Sequence, residues 1–328
     1  MSRDVKWGVL GLGKIAHKFV SDLQLVESCK LVAVASSNVE RAKEFSKKYG
    51  VDRAYGTYES LYKDEEVDII YIASLNQDHF QHTLDALRHQ KAVMCEKPLG
   101  INQHQVSEMI RTAETQKVFL MEALWTRFNP LFEQLLHWIE SGEIGVLRYI
   151  NASFSFYGLD RELDSRLFNP EKGGGSLLDI GIYPLFLAYQ LLKMPISLKA
   201  TAVKSPSGVD EQIAMILTYE QAQAVLYSSF THDEDMRAAI CGEKGEIYID
   251  SRWHEASTIT LVKQGVPKRH TFDFLGKGYT YEILEANECV RKGKQQSSKW
   301  SLKDSLALAQ MMDEVRAQNK IYYPGETK

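Results

Sequence analysis

Ten residues near the start of the chain, Trp7-Gly8-Val9-Leu10-Gly11-Leu12-Gly13-Lys14-Ile15-Ala16, constrain the fold more than any other stretch. Trp7 to Leu10 is a short apolar run of the kind a buried strand shows. It breaks into Gly11-x-Gly13-x-x-Ala16, and Ile15, Phe19 and Leu23 then recur at helical period. Each small residue has a mechanical role if a dinucleotide lies here. Gly11 permits a sharp turn off the strand, and Gly13 has no Cβ to block a pyrophosphate. Ala16 lets helix and strand pack closely, while the free amides of the helix N-terminus face the phosphates. Two glycines near a turn are common by themselves; the flanking strand and helix make the pattern informative.

The rest of the first third repeats the alternation. Lys30 to Ser36 reads as a buried strand and Glu40 to Tyr49 as a helix. Strand Val67 to Ser74, helix Phe80 to His89, strand Ala92 to Cys95, a helix over about 102–116 and strand Val118 to Glu122 follow. Strands separated by helices of this length predict a doubly wound parallel sheet with right-handed crossovers. The strand ends meet at one edge, where such folds bind ligands. From about Ala123 the pattern changes to a helix, Pro130 to Ser141, and an alternating strand, Val146 to Tyr157. Gly173-Gly174-Gly175 opens an apolar helical segment ending at Leu192, in which Pro184 and Gly181 should produce a kink. Seven strand-like runs between Leu198 and Phe272 follow without intervening helices, which predicts a largely antiparallel sheet with one open face. Two helices close the chain, Tyr279 to Lys292 and Leu302 to Asn319, the second headed by a Ser301/Asp304 capping box. The expected fold is therefore α/β, with a dinucleotide-binding domain over 1–123 and an α+β substrate-binding and oligomerisation domain over 124–328. The last helix is free to pack back on the first domain.

A chain of 328 residues is too long for one small core, and its net charge of −4 with 25% charged residues excludes a nucleic-acid surface of clustered Lys and Arg. Four scattered cysteines (Cys29, Cys95, Cys241, Cys289) lack metal-ligand spacing and read as packed, reduced thiols. No metal site is expected. The polar start, Met1 to Lys6, shows no leader, and no apolar run approaches the ~18 residues that cross a bilayer. A cytoplasmic enzyme with no membrane partner is the expectation. At the end of the second strand a carboxylate would bind the ribose hydroxyls of NAD and repel the phosphate of NADP. The chain carries Ser36-Ser37-Asn38 there, with Arg41 one turn on, so NADP is favoured and NAD remains possible; read alone, Arg41 is a solvated helix residue.

The ordered set Gly11-x-Gly13-x-x-Ala16, Ser74-Leu75-Asn76-x-x-His79, Glu96-Lys97-Pro98 and Asp179-x-Gly181-x-Tyr183 resembles the successive motifs of the Gfo/Idh/MocA oxidoreductases. The stretches 121–128 and 177–183 are similar to the dihydrodiol dehydrogenase / NADP-dependent D-xylose 1-dehydrogenase branch, in which Tyr replaces the His that most of the family carries at the position of Tyr183. That branch commonly has Arg at the position of Ser37, so Arg41 is left as the phosphate ligand. The resemblance implies an N-terminal Rossmann domain and hydride transfer between a nicotinamide cofactor and a hydroxyl or hemiacetal carbon of a sugar or trans-dihydrodiol. It implies Tyr183 as acid/base assisted by Lys97, with Asp179 binding a neighbouring hydroxyl. An ammonium near a phenol favours the phenolate.

The cofactor contacts would come from Gly11, Gly13, Lys14, Ile15, Ser36, Ser37, Asn38, Arg41, Ser74, Leu75, Asn76, His79, Glu96 and Lys97. Trp125, Phe154, Trp253 and Phe274 would wall a pocket for a small polyhydroxy substrate, although aromatics are more often plain core, and His79 can equally serve to hold its loop. Association as a homodimer or a dimer of dimers through the open sheet face is also implied. Two other activities use the same fold: a ligand-sensing regulator without turnover, and a redox-assisted glycoside hydrolase. The presence of both Lys97 and Tyr183 argues against the regulator.

Overall fold

In the computed structural model, which describes residues 3–326, β1 (Val5–Leu10) buries Trp7, Val9 and Leu10 completely and ends at Gly11. The turn into α1 (Lys14–Leu23) needs a glycine for two reasons. Gly11 has φ +84°, and a Cβ there would stand 2.7 Å from the backbone of Ala73 and Ser74. The chain continues through β2 (Cys29–Ala35), α2 (Val39–Tyr49), β3 (Arg53–Tyr55), α3 (Tyr58–Tyr62), β4 (Ile69–Ile72), α4 (His79–Arg88), β5 (Ala92–Glu96), α5 (Gln103–Gln116) and β6 (Leu120–Ala123). These six strands form a parallel sheet in the order β3-β2-β1-β4-β5-β6. The order reverses between β1 and β4, which is where ligands bind in such sheets. The short β3 and α3 escape sequence reading because three residues at a sheet edge carry no apolar run.

The second set of elements begins with α6 (Pro130–Glu140), β7 (Leu147–Ser155) and α7 (Ile182–Leu192). The remaining strands follow in succession: β8 (Ser197–Lys204), β9 (Asp210–Thr218), β10 (Gln223–Ser229), β11 (Ala238–Gly242), β12 (Glu246–Ile249), β13 (Thr258–Lys263) and β14 (Val266–Thr271). They build an eight-stranded sheet ordered β14-β13-β12-β11-β7-β10-β9-β8, antiparallel throughout except where β10 runs parallel to the central β7. One face is packed: Ile213, Met215 and Leu217 of β9 and Ala224 and Leu226 of β10 are buried, and α7 lies against β7 and β10. The other face is open. Ile216 of β9 pairs in register with Val225 of β10, which pairs with Asn151 of β7, and Ala239 and Tyr248 continue the row. Ile216, Val225 and Tyr248 are exposed.

The helices α8 (Thr280–Arg291) and α9 (Leu302–Gln318) end the chain. The capping box is formed: the Ser301 hydroxyl accepts from the Asp304 amide at 3.2 Å, and the Asp304 carboxylate accepts from the Ser301 amide at 3.0 Å. The chain divides into two compact units that no single cut separates. One comprises Met1–Asn129 and Phe274–Leu306, the other Pro130–Asp273 and Ala307–Lys328. Thus α8 belongs to the first unit, where it packs on α1 and β1 and Asn287 accepts from the Trp7 indole at 2.9 Å.

The expected kink near Pro184 takes a specific form. Leu177–Gly181 is a π-helical turn in which Ile182 donates its amide to Leu177, five residues back. Proline at 184 has no N–H to continue α-type bonding, and a single π turn accommodates that loss. Pro170–Leu192 is long and apolar enough to meet the length criterion for a membrane span, which corrects the expectation that no run approaches it; 78% of its apolar window is buried within the protein.

Candidate active site

The first unit contains the nucleotide-binding features. α1 begins at Gly13 with no side-chain cap and no acidic residue in its first turn, and nothing lies within 4 Å of the space a Gly13 Cβ would occupy. An anion fits this helix end, since the amides have no competing side-chain acceptor. Lys14 is exposed, Ile15 half-buried and Ala16 fully buried against the sheet. At the end of β2 the buried Ser36 hydroxyl accepts from the Asn38 amide at 3.2 Å. Asn38 caps α2, accepting from the amides of Glu40 and Arg41 at 3.0 and 3.1 Å. Its side-chain oxygen therefore serves the helix, while Ser37 and Arg41 stand exposed beside it. After β4, Ser74 and Leu75 are half-buried and Asn76 opens a short 3-10 turn. The Ser74 hydroxyl oxygen is buried with no hydrogen-bond partner among the described residues. The open helix end, the glycine turn and this hydroxyl suit a nicotinamide dinucleotide.

Lys97 lies on a loop that other side chains hold. The peptide bond to Pro98 is cis. The buried Glu96 accepts from the Tyr71 hydroxyl and from the Lys97 amide. Glu122 accepts from the Leu99 amide at 2.9 Å and from the Trp300 indole at 3.2 Å. Burial outweighs these bonds and the nearby Lys97 charge, and raises the Glu122 pKa. His79 places Nδ1 2.8 Å from the Pro98 carbonyl and Nε2 3.3 Å from that of Ser74. It thus ties the loop after β4 to the loop after β5. Two carbonyls would satisfy an imidazolium, but burial is the larger influence and pushes His79 down to about 4. Trp125 stacks on Tyr279 at 4.9 Å, and Phe274 meets Tyr281 edge-on at 5.8 Å.

In the second unit Tyr183 occupies the first turn of α7, 5% exposed. Its ring lies 5.5 Å from Phe154 and 5.4 Å from His254, and those two stack on each other at 4.0 Å. Trp253 is instead core, its indole donating to the Ser153 carbonyl at 2.8 Å. The imidazole of His254, rather than the neighbouring indole, completes the ring cluster around Tyr183. Asp179 sits in the π turn, its carboxylate accepting from Arg166 at 3.0 Å.

The turn itself is anchored from below. Asp210, wholly buried at the start of β9, accepts from the Ser176 hydroxyl and the Leu177 amide, both at 2.7 Å. Sequence reading missed Glu122, Arg166, Asp210 and His254. Among the described residues no group of three or more His, Cys, Asp or Glu side chains is placed to hold a metal ion.

The His79 staple has a thermodynamic signature. Its pKa falls from 6.5 when unfolded to about 4 in the native state, so the unfolded chain binds the extra proton first as pH drops. The stabilisation is complete above 6.5 and is lost as pH falls toward 4. Urea unfolding of wild type and His79→Asn should show a stability difference at pH 7.5 that shrinks by up to about 3 kcal/mol by pH 4.5. A difference constant across that window would contradict a neutral, buried His79.

Comparison with known proteins is consistent with this arrangement. Residues 5–124 match the model described as "Oxidoreductase family, NAD-binding Rossmann fold", and residues 132–248 match the GFO/IDH/MocA C-terminal domain. The chain is 37% identical over 332 residues to trans-1,2-dihydrobenzene-1,2-diol dehydrogenase of Xenopus tropicalis, covering 97% of this chain and 99% of that protein. In fold it resembles KijD10, a 3-ketoreductase from Actinomadura kijaniata solved in complex with NADP and TDP-benzene, with TM-score 0.87 and 24% identity over 98% of this chain and 100% of that one. It also resembles the aldose-aldose oxidoreductase of Caulobacter crescentus complexed with glycerol, with TM-score 0.88 and 23% identity over 97% and 98% of the two chains. With both family models matching in order and a relative this similar over nearly the full length, the chain belongs to the Gfo/Idh/MocA oxidoreductase family.

Proposed function

We propose that the protein is an NADP-dependent dehydrogenase acting on a secondary alcohol or hemiacetal of a trans-dihydrodiol or sugar, with Tyr183 as the acid/base and Lys97 assisting it. The observation that carries this reading is Tyr183 in the first turn of α7, at the close of a π turn that also carries Asp179. The 37% identity to a trans-1,2-dihydrobenzene-1,2-diol dehydrogenase supports the substrate class. When bound, the nicotinamide supplies the hydride acceptor. Gly11, Gly13, Lys14 and Ile15 would hold its pyrophosphate at the N-terminus of α1, with Ser74, Leu75 and Asn76 along the next strand end. Glu96 and His79 keep the Lys97 loop in shape. In oxidation Tyr183 takes the hydroxyl proton and Lys97 donates to the reacting oxygen; in reduction the same phenol returns the proton. The ring cluster of Phe154 and His254 limits how Tyr183 can turn.

The end of β2 carries Ser36-Ser37-Asn38 with no acid among them, and the exposed Ser37 and Arg41 favour the 2′-phosphate of NADP over the bare ribose of NAD. The open sheet face with Ile216, Val225 and Tyr248 is an apolar surface that a second copy would cover, making a homodimer or a dimer of dimers. The four unpaired cysteines suit a reducing cytoplasm, which cell fractionation would test.

Three measurements check these statements. Tyr183→Phe should lower kcat/KM for alcohol oxidation by about 10²- to 10⁴-fold while leaving NADP affinity near its wild-type value. Near-normal turnover in that variant would remove the phenol from the mechanism. Arg41→Ala should weaken NADP about tenfold or more and leave NAD unchanged; a wild type that prefers NAD would reverse the reading of this loop. Light scattering should give at least twice the 37.4 kDa of one chain, and a monomer mass at micromolar concentration would rule out the sheet-face dimer.

A further inference from the structure

Asp179 does not stand alone. Arg166, from the loop between β7 and the glycine turn, donates to its carboxylate at 3.0 Å. The two ends of this pair differ in environment: the Arg166 side chain is 57% exposed and that of Asp179 only 14%. A guanidinium carries five N–H donors, and the one that donates to Asp179 leaves others to meet a ligand. An ion pair this exposed adds little to stability. Its cost in side-chain ordering is nevertheless reduced by contacts at both ends. The Arg166 loop is closed by Asp164, whose carboxylate accepts from Asn169 at 2.6 Å and from Lys172 at 3.0 Å. Two backbone bonds, Phe168 and Asn169 to the Ser165 carbonyl, fix the residues just past Arg166. On the other side, Asp210 and Ser176 pin the start of the π turn that carries Asp179.

A preorganised acceptor and donor on adjacent atoms match one chemical group in particular. A hydroxyl donates once and accepts twice, so it can give its proton to the Asp179 carboxylate while accepting from Arg166. We propose that Arg166 and Asp179 form a clamp for the hydroxyl on the carbon next to the reacting one, and that Arg166 is thereby a specificity-determining residue for vicinal diols. This rests on the assignment of Tyr183, four residues after Asp179, to the reacting hydroxyl. An ether at the neighbouring carbon can only accept, and would use Arg166 alone. A methylene uses neither. An ammonium would meet the guanidinium with no acceptor to offer it. The clamp therefore ranks trans-1,2-cyclohexanediol above trans-2-methoxycyclohexanol, and that above cyclohexanol.

Binding of these three probes to the protein–NADPH complex, in which an alcohol cannot react, isolates recognition from turnover. Calorimetry on the wild type should show the diol bound about ten- to a hundredfold more tightly than cyclohexanol, with the methyl ether between. Arg166→Met should bring the ether level with cyclohexanol and cut the diol advantage to about threefold or less, with an unchanged melting temperature. Arg166→Lys, which keeps the charge but not the fork, should recover part of it. The clamp is overturned if the wild type shows no diol advantage, if Arg166→Met leaves it intact, or if that variant weakens all three probes alike. A parallel turnover assay with NADP and the diol separates this from the redox reading. Turnover with a diol advantage indifferent to Arg166 removes the clamp alone. A diol advantage that depends on Arg166, without turnover, removes the dehydrogenase alone.

Discussion

One buried carboxylate sets the geometry of the second unit. Asp210 has no exposure to solvent, and burial raises its pKa despite the bonds from Ser176 and Leu177. Those bonds fix the start of the helical run that leads to Tyr183. Crowding around Asp210 and the Leu167 carbonyl also explains two of the three glycines in this turn. Gly175 has φ +114°, and a Cβ there would stand 2.5 Å from Asp210 Oδ1; a Cβ at Gly174 would stand 2.7 Å from the Leu167 carbonyl. The Tyr323 hydroxyl closes the arrangement from the chain's far end by donating to the Gly174 carbonyl. Ser176 also meets Ser228 of β10 at 3.0 Å, where Gly181 must stay small. A strand, a glycine turn and a C-terminal tail therefore converge on the five residues of the π turn. Such turns recur at functional sites because they re-aim side chains without breaking the helix.

The first unit solves a similar problem with backbone contacts. Gly11 brings the turn after β1 against Ala73 and Ser74, so the loops after β1 and β4 share one surface. His79 then links the β4 loop to Pro98, and Glu122 links the end of β6 to Leu99. Four successive strand ends are thereby coupled around the Lys97 loop by groups that need not touch a substrate. Asp22 performs a comparable role at the other end of α1. Its carboxylate accepts from the amides of Lys277 and Tyr279, which orders the loop leading from Phe274 to the Tyr279–Trp125 stack. Stability and function are supported by the same contacts here.

Much of this was legible in the sequence because the signals are local. The Gly11/Gly13 turn, the strand–helix alternation and the Ser301 capping box each occupy a few consecutive residues and appear where expected. What escaped is non-local or lacks a pattern. Asp210 and Ser176 are 34 residues apart, and Arg166 meets Asp179 from a loop without periodicity. Trp253, for which pocket wall and plain core are both open from the sequence, is buried with its indole bonded to the Ser153 carbonyl, and the smaller His254 stands beside Tyr183. Asn38 caps α2 through its side-chain oxygen, a role the sequence does not separate from a cofactor contact because both draw on the same side-chain chemistry.

The proposed reaction transfers hydrogen directly from the carbinol carbon of a diol to the nicotinamide. A trans-1,2-diol deuterated at its carbinol carbons, incubated with the protein and NADP, tests this most directly by mass spectrometry of the nucleotide. Each molecule of NADPH formed should carry one deuterium, in equal amount to the ketone. Reduced nucleotide without the label, or consumption of the diol with no net reduction, would contradict it.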